Sequence, residues 1–377
     1  MLHLAEAFAT SGHKVDLLLC QTKGAFLATV HPTINVISLK PTPAWVSRLR
    51  VLSANPMLFF TLLLPILLPS KPPKTIRFLT DLTHYLGREH PDALLSAKTH
   101  ANLVAIWARK IADVQTRIVV SERSTMSTVI KKSPKWRWHF TLPLIRKVYP
   151  QADLVVAVSN GVADDVSSCT GLSRERIVTI YNPTLTNHIE AQSILPVSNP
   201  WFDTEKIPVI LGVGRLVPAK DFPTLLKAFA HIRAKRPARL LILGEGRERH
   251  ALENLAVELG IATDFLLPGF VTNPYAFMSR AAVFVLSSLV EGLPNALIEA
   301  LACGCPVVST NCPSGPQEIL ANGDFGPLVP VGDDRALAEA ILHTLEHPPN
   351  TERLRSRAAE FDIQTIAAQY LQALLPE

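Results

Sequence analysis

Short apolar runs alternate with amphipathic stretches along most of the chain. Leu2 to Thr10 places apolar residues at helical spacing and stops before Gly12, a residue suited to a helix end. Val15-Asp-Leu-Leu-Leu19 then reads as a buried strand, and Ile34-Asn-Val-Ile37 as another. Asp92-Ala-Leu-Leu95, Arg117-Ile-Val-Val-Ser121 and Asp153-Leu-Val-Val-Ala-Val158 follow, with helical patterns between them. This β-α alternation predicts a doubly wound parallel sheet. A polar, proline-containing stretch at residues 185–206 reads as a linker. A second series begins after it. Val209-Ile-Leu-Gly-Val213, Arg239-Leu-Leu-Ile-Leu243, Leu266-Leu267, Ala282-Val-Phe-Val-Leu286 and Pro306-Val-Val-Ser309 are its strands. The expectation is two α/β domains in tandem, residues 1–190 and 191–377, with ligands at the carboxyl ends of strands in a cleft between them.

The first domain opens abruptly. A doubly wound domain starts with a strand and a tight loop before its first helix, and this sequence starts inside that helix. Either the start is placed too late or the domain lacks a central strand, whose loss should be destabilising.

Composition narrows the class. A length of 377 residues, 48% hydrophobic and 18% charged, fits two to three folded domains that need no covalent staples. The five cysteines, Cys20, Cys169, Cys303, Cys305 and Cys312, form no disulfide framework and no C-x-x-C pair. Cys303 and Cys305 read as small packing residues. The N-terminus has no basic segment followed by an apolar run, so a signal peptide is not expected and the location expected is cytoplasmic. The net charge of +5 hides a division. Residues 1–152 hold twenty Lys and Arg against seven Asp and Glu, and the remainder holds seventeen against twenty-five. A basic half of this kind meets a polyanion, either a membrane surface or nucleic acid.

The densest chemistry lies in the second series. Glu291-Gly-Leu-Pro-Asn-Ala-Leu-Ile-Glu299 follows a strand. Pro294 suits the first position of a helix, whose N–H groups at Asn295, Ala296 and Leu297 would face a ligand. Glu299 lies one turn after Asn295, and two carboxylates at this edge can grip sugar hydroxyls. Taken alone, the pair reads as a capping loop and a surface acid. It is accompanied by Gly214-Arg215, with Lys220 five residues on, where a guanidinium fork and a point charge would neutralise a diphosphate. Gly244-Glu245-Gly246 follows another strand end and would let a ligand approach the backbone. Phe270 and Val271 could wall a base pocket. No phosphate-loop signature, H-E-x-x-H, G-x-S-x-G or D-x-D is present. A carboxylate-held metal is therefore not expected, and no cofactor is implied.

In order and spacing, Gly214-Arg215…Lys220, Gly244-Glu-Gly246, Gly269-Phe270 and the Glu291…Glu299 block resemble the GT4 family of retaining glycosyltransferases over residues 207–320. In the first domain, Gly12-His-Lys-Val-Asp16, Ser121-Glu122-Arg123, Ser159-Asn160 and Tyr181-Asn182-Pro183 also fit the family. The resemblance implies the GT-B fold, two Rossmann-like domains facing across a cleft, with a C-terminal helix packing back on the first. It implies that Arg215 and Lys220 hold the donor diphosphate, Glu299 the ribose and Glu291 the donor sugar. It further implies that Gly292 and the Asn295–Leu297 amides contact sugar or phosphate, and that residues near Phe270 flank the base. The family's glycine-rich loop after the first strand has no counterpart here. Glu122 and His100 are acceptor-side candidates in the first domain. Each has a plainer reading, an ion pair for Glu122 and a loop histidine for His100.

One apolar run, residues 56–69, is about fourteen residues long and broken by Pro65, short of the ~20 that span a bilayer. Its basic flanks favour an interfacial segment, with Phe59 and Phe60 at the surface. Lys132, Lys135, Trp136, Arg137 and Trp138 interleave cations with tryptophan, as an anionic headgroup layer requires. Without a nucleic-acid fold signature, the membrane is the preferred partner.

The expected activity is transfer of a sugar from a UDP-sugar to a lipid-linked or glycan acceptor, with retained configuration, at the inner membrane face. The alternatives are a catalytically inactive membrane-bound partner subunit and a GT-B nucleotide-sugar epimerase.

Overall fold

The computed structural model describes residues 1–21, 30–69, 73–132, 137–202 and 207–376, without the side chains of Lys132 and Arg137. The chain divides into two compact units, Met1–Pro183 with Ile363–Glu377, and Thr184–Asp362. The sequence boundary at residue 190 falls inside the helix Thr186–Ser193, which belongs to the second unit. The expected linker is therefore partly helical. Its Ile189 is buried, and its Thr186 hydroxyl bonds to the Asp362 carboxylate.

In the first unit, strands β1 (Asp16–Leu19) and β2 (Asn35–Ser38) pair in parallel as a sheet of their own. Strands β3 (Ala93–Ala97), β4 (Arg117–Glu122), β5 (Leu154–Ala157) and β6 (Ile177–Thr179) form a second parallel sheet in that order. β5 and the centre of β4, Ile118 to Val120, are apolar, and both strands are almost wholly buried, as strands covered on both faces should be. The N-terminal helix Leu2–Thr10 and the C-terminal helix Ile363–Leu374 pack together over them. Leu4, Phe8, Val119, Val156, Ile366 and Tyr370 lie in one core.

The second unit holds a single six-stranded parallel sheet. Its strands are β7 (Val209–Val213), β8 (Arg239–Leu243), β9 (Phe265–Gly269), β10 (Val283–Leu286), β11 (Val307–Thr310) and β12 (Leu328–Val329), ordered β12-β11-β10-β7-β8-β9. Its core includes Ile210, Leu225, Phe229, Leu240 and Val285. Read from β9 outward, the order is that of a dinucleotide-binding sheet. β6 and β12 were not anticipated.

Candidate active site

The strand order of the second unit reverses between β7 and β10. Open parallel sheets bind ligands outside the carboxyl ends of strands at such a point. Two loops meet there, one following β7 and one following β10. Lys220 ends a single 3-10 turn, Pro218–Lys220. Asp221 then takes a left-handed conformation, φ 47°, and its carboxylate accepts the Thr224 hydroxyl at 2.7 Å, which starts the next helix. The turn brings Lys220 Nζ to 2.5 Å from Glu291 Oε1. Ser288 Oγ donates to the same carboxylate oxygen at 2.7 Å. Ser287 Oγ donates to the Lys220 carbonyl at 2.8 Å, and the Leu289 amide to the Ala219 carbonyl at 2.9 Å. A cation and a carboxylate are thus fixed against each other by bonds between the two loops. Ser287 and Ser288 were missed in the sequence. Their only signal there is their place just past an apolar strand.

Arg215 lies on the same β7 loop, exposed, and its guanidinium has no hydrogen bond or ion pair among the described residues. The loop is carried from behind by the one after β8. The Leu216 amide donates to the Glu245 carbonyl at 2.9 Å, and Glu248 N donates to the Leu216 carbonyl at 3.1 Å. A Cβ at Gly244 would strike the Gly214 carbonyl, and one at Gly246 the Leu216 carbonyl. These glycines admit a neighbouring loop, where the sequence reading had them admit a ligand. Glu245 is held by Arg249 through bonds of 2.5 and 3.1 Å, and that guanidinium keeps its carboxyl below the ordinary value. Its first partner is therefore Arg249. Phe270 is 76% exposed just past β9, and Val271 beside it is half-buried.

The helix Asn295–Ala302 starts after Pro294, which is its cap and not its first residue. The Leu297 amide donates to the Pro294 carbonyl at 3.1 Å, so it is not open to a ligand as the sequence suggested. Gly292 is buried, and Ala296 is half-buried beside the exposed Asn295. Glu299 follows one turn on, without a hydrogen bond or ion pair among the described residues. Burial pushes its carboxyl up to about 7. Burial, and then the Glu299 charge, push the Tyr275 hydroxyl up to about 12. The two acids therefore differ: Glu291 is engaged by Lys220 and Ser288, while Glu299 is desolvated and unengaged.

In the first unit, Glu122 ends β4 at 3% exposure. Its carboxylate accepts from Tyr149 and from Asn102 at 3.1 Å on one oxygen, and from Thr99 at 3.3 Å on the other. Burial raises it to about 7 against the opposing pull of those donors. With both oxygens spent inside the unit, Glu122 braces β4 against its neighbours and is not presented to an acceptor. The sequence could not show this, because Thr99, Asn102 and Tyr149 lie far from it along the chain. Arg123, the ion-pair alternative, instead donates to Asn182 Oδ1 at 2.7 Å. The His100 ring stands edge-on to Trp138, centroids 4.5 Å apart.

Around the apolar run, Met57, Phe60 and Leu68 are 95%, 85% and 62% exposed, whereas Leu62 and Ile66 are buried. Phe59 is 40% exposed and meets Phe60 edge-on. No single helix among the described residues is long and apolar enough to cross a membrane. Lys135 and Trp136 lie outside the described residues, as do the side chains of Lys132 and Arg137. No cluster of three or more His, Cys, Asp or Glu side chains suited to a metal occurs among the described residues.

Comparisons with known proteins identify the family and the fold. Residues 1–187 match the family described as Glycosyltransferase Family 4, and residues 198–361 match Glycosyl transferases group 1. A 4-alpha-N-acetylgalactosaminyltransferase of Campylobacter jejuni, named for a diphospho-undecaprenol-linked substrate, is 32% identical over 73% of this chain and 73% of its own. The lipopolysaccharide core biosynthesis glycosyltransferase LpsE of Rhizobium meliloti is 34% identical over 59% of this chain and 61% of its own. Among solved structures, Anabaena HepE with UDP and glucose superposes with TM-score 0.75 at 20% identity, over 99% of this chain and 95% of that one. The apo lipopolysaccharide outer core galactosyltransferase WaaB superposes at 0.71 and 20%, over 98% and 93%. The chain belongs to glycosyltransferase family 4 and is a glycosyltransferase with the GT-B fold.

Proposed function

We propose that the chain transfers a hexosyl or N-acetylhexosaminyl group from a UDP-sugar to a lipid-linked or growing glycan acceptor in lipopolysaccharide or related polysaccharide synthesis, with retained configuration and no resident metal. The observation that carries the reading is the set of groups at the switch point of the second unit. There an exposed Arg215 and a lysine locked to Glu291 lie on two neighbouring loops, and the helix after the second loop carries a desolvated Glu299 with no hydrogen bond among the described residues. Arg215 and Lys220 suit the charge that builds on a departing diphosphate. Glu299 suits ribose hydroxyls, which can donate to an acceptor-only carboxylate. When the diphosphate draws Lys220, Glu291 becomes available to the hydroxyls of the sugar. The acceptor oxygen attacks the anomeric carbon on the face from which the diphosphate leaves. The new C–O bond forms as the bond to phosphate breaks, and the acceptor proton passes to a phosphate oxygen of the leaving group. The relatives support the substrate class: one acts on an undecaprenol-linked glycan by its name, and one structural neighbour holds UDP and glucose.

The test is calorimetric titration of UDP, GDP and ADP, repeated with Arg215→Ala. Binding of UDP alone, lost in the variant, is the expected result. No binding by a folded sample would overturn the reading in favour of an inactive partner subunit.

The same proposal places the first unit on an anionic membrane surface through Met57, Phe60 and Leu68. Vesicles of anionic phospholipid should carry the protein on flotation at low salt, and Phe60→Ser should weaken the association.

A further inference from the structure

Glu291 is anchored on one side only. Lys220 Nζ and Ser288 Oγ both reach its Oε1, at 2.5 and 2.7 Å. Its Oε2 has no hydrogen bond or ion pair among the described residues. An ionised carboxylate accepts at both oxygens, so one oxygen serves as the anchor and the other keeps its full accepting capacity.

The two donors at the anchor are tethered in different ways. Ser287 Oγ donates to the Lys220 carbonyl at 2.8 Å, so the lysine is fixed by its backbone. Its ammonium rides on a flexible four-carbon stem, and Glu291 is its one acceptor among the described residues. Ser288 is fixed where it matters for its hydroxyl. Thr310 Oγ1, at the end of β11, donates to the Ser288 carbonyl at 2.7 Å, and both residues are wholly buried. The loop after β11 closes on the same segment, because a Cβ at Gly315 would stand 2.6 Å from Pro294 Cδ and 3.1 Å from the Gly292 carbonyl oxygen. The lysine can therefore follow a ligand, and the serine cannot. The Glu291 side chain is only 14% exposed. A carboxylate so placed is costly to leave without a donor when its cation moves away. A hydroxyl bonded to the charged oxygen supplies one, and such charge-assisted bonds are stronger than neutral ones.

We propose that Ser288 is a positioning residue of the donor site, which holds Glu291 Oε1 while Lys220 turns to the diphosphate and so presents Oε2 to a hydroxyl of the donor sugar. This rests on the reading of Lys220 and Glu291 given above. Thr310 serves the same end one step back, by fixing the Ser288 backbone.

The test follows release of UDP from UDP-glucose, UDP-galactose and their two N-acetylhexosamine counterparts by the full chain, and the fastest donor is used throughout. In Ser288→Ala, kcat should fall by about tenfold, the worth of one hydrogen bond to a charged group, while KM moves by less than about threefold. UDP itself carries no sugar, so its affinity by calorimetry should be unchanged, which also reports a folded site. In a Glu291→Ala background, Ser288→Ala should cost less than about twofold more, because a residue acting through Glu291 then has nothing to position. A residue that only supports the loop would cost the same factor in both backgrounds and weaken UDP binding as well, and that result would overturn the proposal. Full activity of Ser288→Ala beside a loss in Glu291→Ala would overturn it too, while leaving the donor-site reading in place. Full activity of Glu291→Ala, or no turnover of any of the four donors, would overturn both.

Discussion

The two units build parallel sheets from similar strands and finish them differently. In the second, Val283–Leu286 sits between β7 and β11 and is buried at every residue. In the first, Ala93–Ala97 carries the same apolar character, has one partner strand among the described residues and stays half-buried throughout. Strand sequence thus reports the burial a segment is suited to, whereas the ladder decides how much it receives. The contrast also separates two tasks. The second unit has a continuous sheet and the candidate ligand edge at its switch point. The first has a sheet in two pieces, with its buried acid used as a brace.

The sharpest way to break the comparison is to attack the ligand edge. Lys220→Ala and Arg215→Ala should each lower kcat/KM by about 10²–10³-fold, the usual cost of one charge-stabilising donor, with little change in thermal midpoint. A purified enzyme assay with radiolabelled UDP-sugars checks this, and an unchanged rate in both variants would remove the edge from the chemistry. Next in size is the loop support. Gly244→Ala and Gly246→Ala drive a methyl group into a carbonyl and should destabilise the second unit by about 2–4 kcal/mol, read as an earlier melting transition for that unit.

Glu299 sharpens the contrast through pH. Its carboxyl stands at about 7 in the folded chain against an ordinary 4.5. Between those values the folded chain holds a proton that the unfolded chain has released, so stability falls as pH rises through that window and stays lower above it. Glu299→Gln removes the burden. It should raise the thermal midpoint at pH 8, by up to about 3 kcal/mol of stability, and leave it nearly unchanged at pH 4.5, while UDP affinity drops. Melting curves at the two pH values decide it. The smallest effect belongs to Phe60→Ser, exposed and away from the core, which should change stability by less than about 0.5 kcal/mol even if vesicle flotation is lost.

Much of the fold was legible because its strands are apolar runs punctuated by glycine, proline or charge. Val209-Ile-Leu-Gly-Val213 and Arg239-Leu-Leu-Ile-Leu243 match β7 and β8 residue for residue. β6 and β12, of three and two residues, are too short to display a period. At the candidate site, Arg215, Lys220, Glu291 and Glu299 could be singled out because a diphosphate and sugar hydroxyls would call for such groups, and their roles are part of the proposal. How they are engaged could not be read. The Lys220–Glu291 pair joins residues on separate loops, and the roles of Gly244 and Gly246 depend on a carbonyl some thirty residues earlier in the chain. The Glu122 brace was hidden for the same reason, since its partners come from a separate helix and a turn.

The C-terminal helix also affects how the chain is made. Ile366 and Tyr370 complete the core of the first unit, and Arg117 Nε donates to the Ala373 carbonyl across 256 residues of sequence. The second unit is drawn entirely from Thr184–Asp362. On a ribosome the later-coded unit can close first, while the earlier one waits with an unfinished core for the last dozen residues. Birth order and folding order are inverted, and a message truncated after residue 362 would encode a complete second unit beside a half that lacks its C-terminal helix.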